Sequence, residues 1–140
     1  MRHLKILITI ILCNCIISLA WSDTIEHYMN IVNNLPQMEM KADSDSQAWA
    51  RSARNILMLT SETVTESLIL ANQEAAKKGA PLFCLPHEVQ LKNSDINELI
   101  KRTYQGMSSQ LSDKNNMTVS QIALVGIQTQ YPCHPPKSER

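Results

Sequence analysis

Beyond an apolar run at Ile6–Ala20, apolar residues recur at steps of three and four in four separate stretches, the spacing of helices that each bury one face. In the first, Ile25, Tyr28, Met29 and Val32 share a face, and Leu35-Pro36 is expected to end it, leaving 37–42 as a connector. The cluster Asp43-Ser44-Asp45-Ser46 supplies capping side chains for a long second helix. Its apolar stripe reads Trp49, Ala53, Ile56, Thr60, Val64, Leu68, Ala71 and Ala75, with Trp49 expected in the core. Lys77 and Lys78 suit the negative end of that helix, Gly79 can take a left-handed cap, and Pro81 forbids continuation. Thr60, Thr63, Val64 and Thr65 are poor helix formers, so a bend is expected there.

Asn93 or Ser94 is expected to cap a third helix with Ile96, Leu99, Ile100, Thr103, Met107 and Leu111 inward. A polar turn follows at Ser112, Asp113, Lys114, Asn115, Asn116 and Met117. Thr118-Val119-Ser120-Gln121 then has the reciprocal capping pattern that opens a fourth helix, whose apolar side is Ile122, Ala123, Val125, Gly126 and Ile127. Gly126 is the kind of residue that marks a close helix crossing, and Pro132 ends the helix. The expectation is four helices near 24–34, 45–78, 95–111 and 119–131, with no sheet, and a frayed tail from His134.

The N-terminal run changes the picture of where the chain works. Arg2, His3 and Lys5 precede about 15 apolar residues, and Ala20-Trp21-Ser22 offers small residues at a cleavage site, so residues 1–22 read as a secretory signal. The run falls short of the roughly 20 residues a spanning helix needs, and Asn14 interrupts it. Leu12 and Asn14 stand before Cys13 and Cys15, where a lipoprotein signal carries a small residue. Cleavage leaves residues 23–140 as one small domain. Losing Arg2 and Lys5 leaves 11 basic side chains against 13 acidic, with no basic stripe for nucleic acid and no second apolar segment for a membrane. Few aromatics and only 3 glycines favour an all-α fold over a sandwich or barrel.

Cys84 and Cys133 are the two cysteines outside the signal, and in an oxidising compartment they have each other. Such a bridge closes a loop of about 50 residues and stabilises by roughly 4 kcal/mol on the loop-entropy account. The fold class is therefore a small all-α, single-domain bundle of about four helices tied by one disulfide. A metal reading competes, because Cys84, His87, Cys133 and His134 supply four ligand types. Its spacing is weak, and a disulfide consumes both thiolates. No metal and no cofactor are expected. Catalysis is not expected either: no glycine-rich loop or nucleophile elbow exists, and Glu62 and Glu66, one turn apart, read as a solvated face. Asn116-Met117-Thr118 matches a glycosylation sequon, read here as a loop entering a cap.

The order Phe83-Cys84-Leu85-Pro86, Leu99-Ile100-Lys101, then Ile122 to Gln128 running into Tyr131-Pro132-Cys133 resembles the Tai and Rap amidase-immunity proteins of type VI secretion systems. The likeness covers 83–133; residues 23–82 agree in being helical and of suitable length. Tyr104-Gln105-Gly106-Met107 lacks the proline often found after this helix in the family. The resemblance implies a periplasmic antitoxin without catalysis of its own. Its partner would be a peptidoglycan amidase effector, a papain-like cysteine peptidase whose cleft it occludes. It also implies a homodimer, and a polar loop before the last helix that enters the cleft, here Ser112, Asp113, Lys114, Asn115, Asn116 and Met117. Small periplasmic acid-stress chaperones of the Hde kind, helical with one disulfide over a similar loop, are the alternative, though they lack the two cysteine contexts.

Overall fold

The computed structural model describes residues 24–107 and 113–133, so the expected signal, Leu111, Ser112 and the tail from His134 lie outside the described residues. The described residues form four helices, α1 Ile25–Met40, α2 Ser44–Lys77, α3 Asn93–Gly106 and α4 Val119–Gln130, with a 3-10 turn at Lys114–Asn116. Among the described residues there is no strand, only an isolated antiparallel bridge between Thr24 and Thr118. The chain is a small all-α bundle.

The terminators act largely as their chemistry dictates. Asp43 accepts from the Ser46 amide at 2.8 Å, which also lowers its carboxyl pKa. Gly79, at φ 76°, takes the left-handed position after α2. Thr118 and Gln121 exchange backbone and side-chain bonds of 2.8 and 3.2 Å at the start of α4. At α3 the cap falls one residue earlier than expected: Lys92 donates its amide to Asp95 Oδ2 at 3.3 Å, and Asn93 is already helical.

Pro36 does not end α1. The helix continues through it to Met40 although proline removes one backbone bond and crowds the preceding turn, a cost of about 3 kcal/mol in a helix interior. Tertiary ties from α2 hold the continuation. Gln47 Nε2 donates to the carbonyls of Glu39 at 3.1 Å and Lys41 at 2.6 Å, and Arg54 pairs with Glu39 at 2.7 Å.

The core gathers Ile25, Tyr28 and Met29 of α1, Val64 and Leu68 of α2, Phe83 of the segment that follows α2, Ile96, Leu99 and Ile100 of α3, and Val119, Ile122, Ala123 and Ile127 of α4. The expected faces of α1, α3 and α4 are largely those buried, except that Ile31 is buried while Val32 is half-buried, Thr103 and Met107 are half-buried, and Val125 is exposed. The third helix also stops short of the expected 111: it ends at Gly106, the weak helix former, and Met107 is already extended. On α2 the stripe is rotated. Ala50, Ala53, Ser61, Val64, Thr65 and Leu68 are buried, whereas Ile56 and Ala71 are exposed and Trp49 is half-buried beside a hollow outside the core.

Polar residues are able to occupy that face because their hydrogen bonds are made within the helix. Ser61 Oγ donates to the Met58 carbonyl at 2.9 Å and Thr65 Oγ1 to the Ser61 carbonyl at 2.6 Å, so both hydroxyls are satisfied by their own helix and can face inward. The helix runs unbroken through this region. Met58, Leu59 and Leu70 are left outside, each more than half exposed.

Candidate functional site

The region between Phe83 and Cys133 is built as a closed frame. Cys84 and Cys133 form a disulfide with Cα atoms 4.9 Å apart, joining the segment after α2 to the end of α4. Cys84 donates its amide to the Tyr131 carbonyl at 2.9 Å, and Gln128 Nε2 donates to the Leu82 carbonyl at 3.2 Å. Asn72 Oδ1 accepts from the amides of both Leu82 and Phe83, at 2.7 and 3.1 Å, pinning the same segment to α2. Phe83, 1% exposed, plugs the frame into the core. With both sulfurs bonded to each other, the four-ligand set that included His87 and His134 has no free thiolate; His87 is exposed, and His134 lies outside the described residues.

Opposite the disulfide, the turn at 113–117 is held at several points. Its backbone closes through the Asn116 amide on the Asp113 carbonyl at 2.9 Å. Lys114 Nζ lies 4.7 Å from the centre of the Tyr104 ring and donates to the Met107 carbonyl at 3.2 Å. Tyr104 donates its hydroxyl to Asn115 Oδ1 at 2.8 Å. The Met117 carbonyl accepts from the Ile25 amide at 2.8 Å, coupling the turn to the start of α1. One aromatic side chain of α3 thus supports both middle residues of the turn.

Of the residues singled out in sequence, Lys114 and Met117 turn toward the protein: both are half-buried, and Met117 packs against the core. Asp113, Asn115 and Asn116 are exposed, and Ser112 lies outside the described residues. The supports Tyr104, Asn72 and Gln128 were not anticipated. Tyr104 and Gln128 sat in helical patterns where no spacing rule marks them, and Asn72 had the weak signal of a short amide near a helix end.

Between α3 and α4, Gly126 lies against Thr103 and Leu99. A methyl group there would overlap Thr103 Oγ1 and come within 3.0 Å of Leu99 Cγ, so the missing side chain permits the crossing. Downstream the two helices border an open hollow of about 660 Å³, lined by Arg102, Met107, Val125 and Gln130 among others, and no residue of 113–117 lines it. Tyr28 of α1 is buried and donates its hydroxyl to Asn97 Oδ1 of α3. Burial, with Glu98 nearby, pushes its phenol pKa up to about 12.

Among the described residues no helix is long and apolar enough to cross a membrane, and no group of three metal-ligating side chains converges. What fold and frame define is a small disulfide-tied helical domain that presents an anchored polar turn. No protein-family model matches the chain, nor does any curated protein or solved structure.

Proposed function

We propose that this chain is a periplasmic immunity protein that binds a peptidoglycan amidase effector and occludes its active-site cleft, with no catalysis of its own. The observation that carries the reading is the frame. The two cysteine contexts that resemble the amidase-immunity family are bonded to each other, and the polar turn that the resemblance assigns to the cleft is anchored through Lys114, Asn115 and Met117. A turn held by Tyr104, Met107 and Ile25 loses less entropy on entering a groove than a free loop would. Its exposed Asp113, Asn115 and Asn116 offer carboxylate and amide groups suited to the polar surroundings of a Cys-His pair.

The direct test is to express candidate Cys-His amidases directed to the periplasm, with and without this protein, and to measure survival and complex formation. Asp113→Ala combined with Asn116→Ala should weaken both while moving the melting temperature little, since exposed substitutions of this kind rarely exceed about 0.5 kcal/mol each. Full protection and binding by that variant would move the contact off the turn. Suppression of aggregation after acidification, with no amidase bound, would favour the acid-stress chaperone instead.

A further inference from the structure

Trp49, expected in the core, instead borders a hollow of about 310 Å³ between α1 and α2. That volume is at the small end for a ligand pocket, with room for a ring and its substituents. The apolar part of the lining is Trp49 with Ile31, Ala53 and Ile56, and the polar part is His27 and Asn30 of α1 with Ser52 of α2. Trp49, Ser52, Ala53 and Ile56 share one side of α2 by their spacing of three and four. Ala53 is buried at 3% exposure, and its single methyl is too small to fill the space between the helices.

The lining discriminates against ions and against wholly apolar ligands. It contains no lysine, arginine or carboxylate, so an ionic ligand would give up hydration with no opposite charge to replace it. Its polar groups are not consumed by the protein. Among the described residues the His27 ring, the Ser52 hydroxyl and the Trp49 indole N–H make no internal hydrogen bond, and no buried polar side-chain atom lacks a partner, so all three are open to solvent. Asn30 Oδ1 accepts from Asn34 Nδ2 at 3.0 Å, which leaves the Asn30 amide hydrogens unused. An aromatic flank with free donors and acceptors around it matches a pyranose ring, apolar on its C–H face and hydroxylated at its edge. Ala53 and Ile56 beside the indole add an apolar place for a methyl such as that of an acetamido group. We propose that this hollow binds a neutral saccharide, an N-acetylhexosamine unit, with its ring against Trp49 and its polar edge toward His27, Asn30 and Ser52. The site shares no residue with the turn at 113–117, and the proposal is independent of the amidase reading.

In the exported protein cut before Asp23, Trp49 is the one tryptophan, so indole fluorescence reports on the hollow directly. Titration with the trimer of N-acetylglucosamine from chitin should give a saturable change with a dissociation constant of about 1 mM or lower, matched by calorimetry. Cellotriose, with the same linkage and no acetamido group, should bind about fivefold more weakly or worse. By calorimetry Trp49→Ala should lower affinity about tenfold or more, and Trp49→Phe less, since phenylalanine keeps an aromatic face. Asn30→Ala and Ser52→Ala, at exposed positions, should each lower it about threefold with the melting temperature nearly unchanged, so the test stands even if Trp49→Ala fails to fold. No saturable response at about 10 mM trisaccharide would overturn the proposal. Equal binding of cellotriose would overturn it too, as would parental affinity in both Asn30→Ala and Ser52→Ala.

Discussion

The α3–α4 pair and the α1–α2 pair each join helices that follow one another in sequence and pack together, yet they are stabilised by different means. In α3–α4 the buried face is almost wholly apolar and both ends are tied, by the 3-10 turn at one and the disulfide frame at the other. In the part of α1–α2 away from the core, burial comes from Ile31 with the small residues Ala50 and Ala53, while Ile56 and Met40 stand exposed. Polar ties from Gln47 and Arg54 supply the rest. An apolar face closed by covalent and capping constraints needs little help from neighbours. A face of alanines and hydroxyls buries less area per turn, and its boundaries depend on side-chain bonds to the adjacent helix.

The comparison can be broken most severely at the disulfide. Replacing Cys84 or Cys133 with Ser should cost about 2 to 5 kcal/mol and lower the melting temperature of the whole domain, since the bridge closes 49 residues of sequence separation. Reduction that left the melting curve unchanged would show that apolar packing alone sustains α3–α4. A smaller effect is expected at the crossing. Gly126→Ala should destabilise by about 1 to 3 kcal/mol in chemical denaturation, even though alanine is the better helix former, because its methyl meets Thr103 and Leu99. Thr103→Ala should recover part of that loss in a double-mutant cycle. The mildest change has the opposite sign. Pro36→Ala should stabilise by about 1 to 2 kcal/mol, since it restores a backbone donor inside a helix already held in place, and the gain should grow if Gln47→Ala first removes the ties. A loss of stability there would mean that proline's restriction of the unfolded chain outweighs its missing hydrogen bond.

How much was readable follows the same division. The buried faces of α3 and α4 were legible because apolar residues recur at helical spacing, and α4 was bounded by the Thr118-Gln121 reciprocal cap and by Pro132, whereas no proline marks the end of α3. The disulfide was legible from cysteine count alone once the first 22 residues were read as a signal. On α2 the spacing marked Ile56 and Ala71 as buried, whereas Ser61 and Thr65 take the inner face. A residue's polarity predicts exposure only when its hydrogen bond must be made to water, and these hydroxyls bond to carbonyls of their own helix. The candidate turn was legible as polar and short. Its inward side, with Lys114 over Tyr104 and Met117 against the core, was not, because those contacts join residues that no local pattern relates.

By itself, then, the sequence determined the helical class, three of the four helix starts to within a residue, the end of α2 at Gly79 and the identity of the bridge. These depend on local backbone chemistry or on a choice among very few cysteines. Tertiary structure decided that α1 runs through Pro36, because the ties to Glu39 and Lys41 come from another helix. It also decided which side of α2 faces the core. A long helix with apolar residues on more than one side has no internal preference between them, and the choice falls to whichever side its neighbours can pack against most closely, leaving Met58 and Leu59 to the outside.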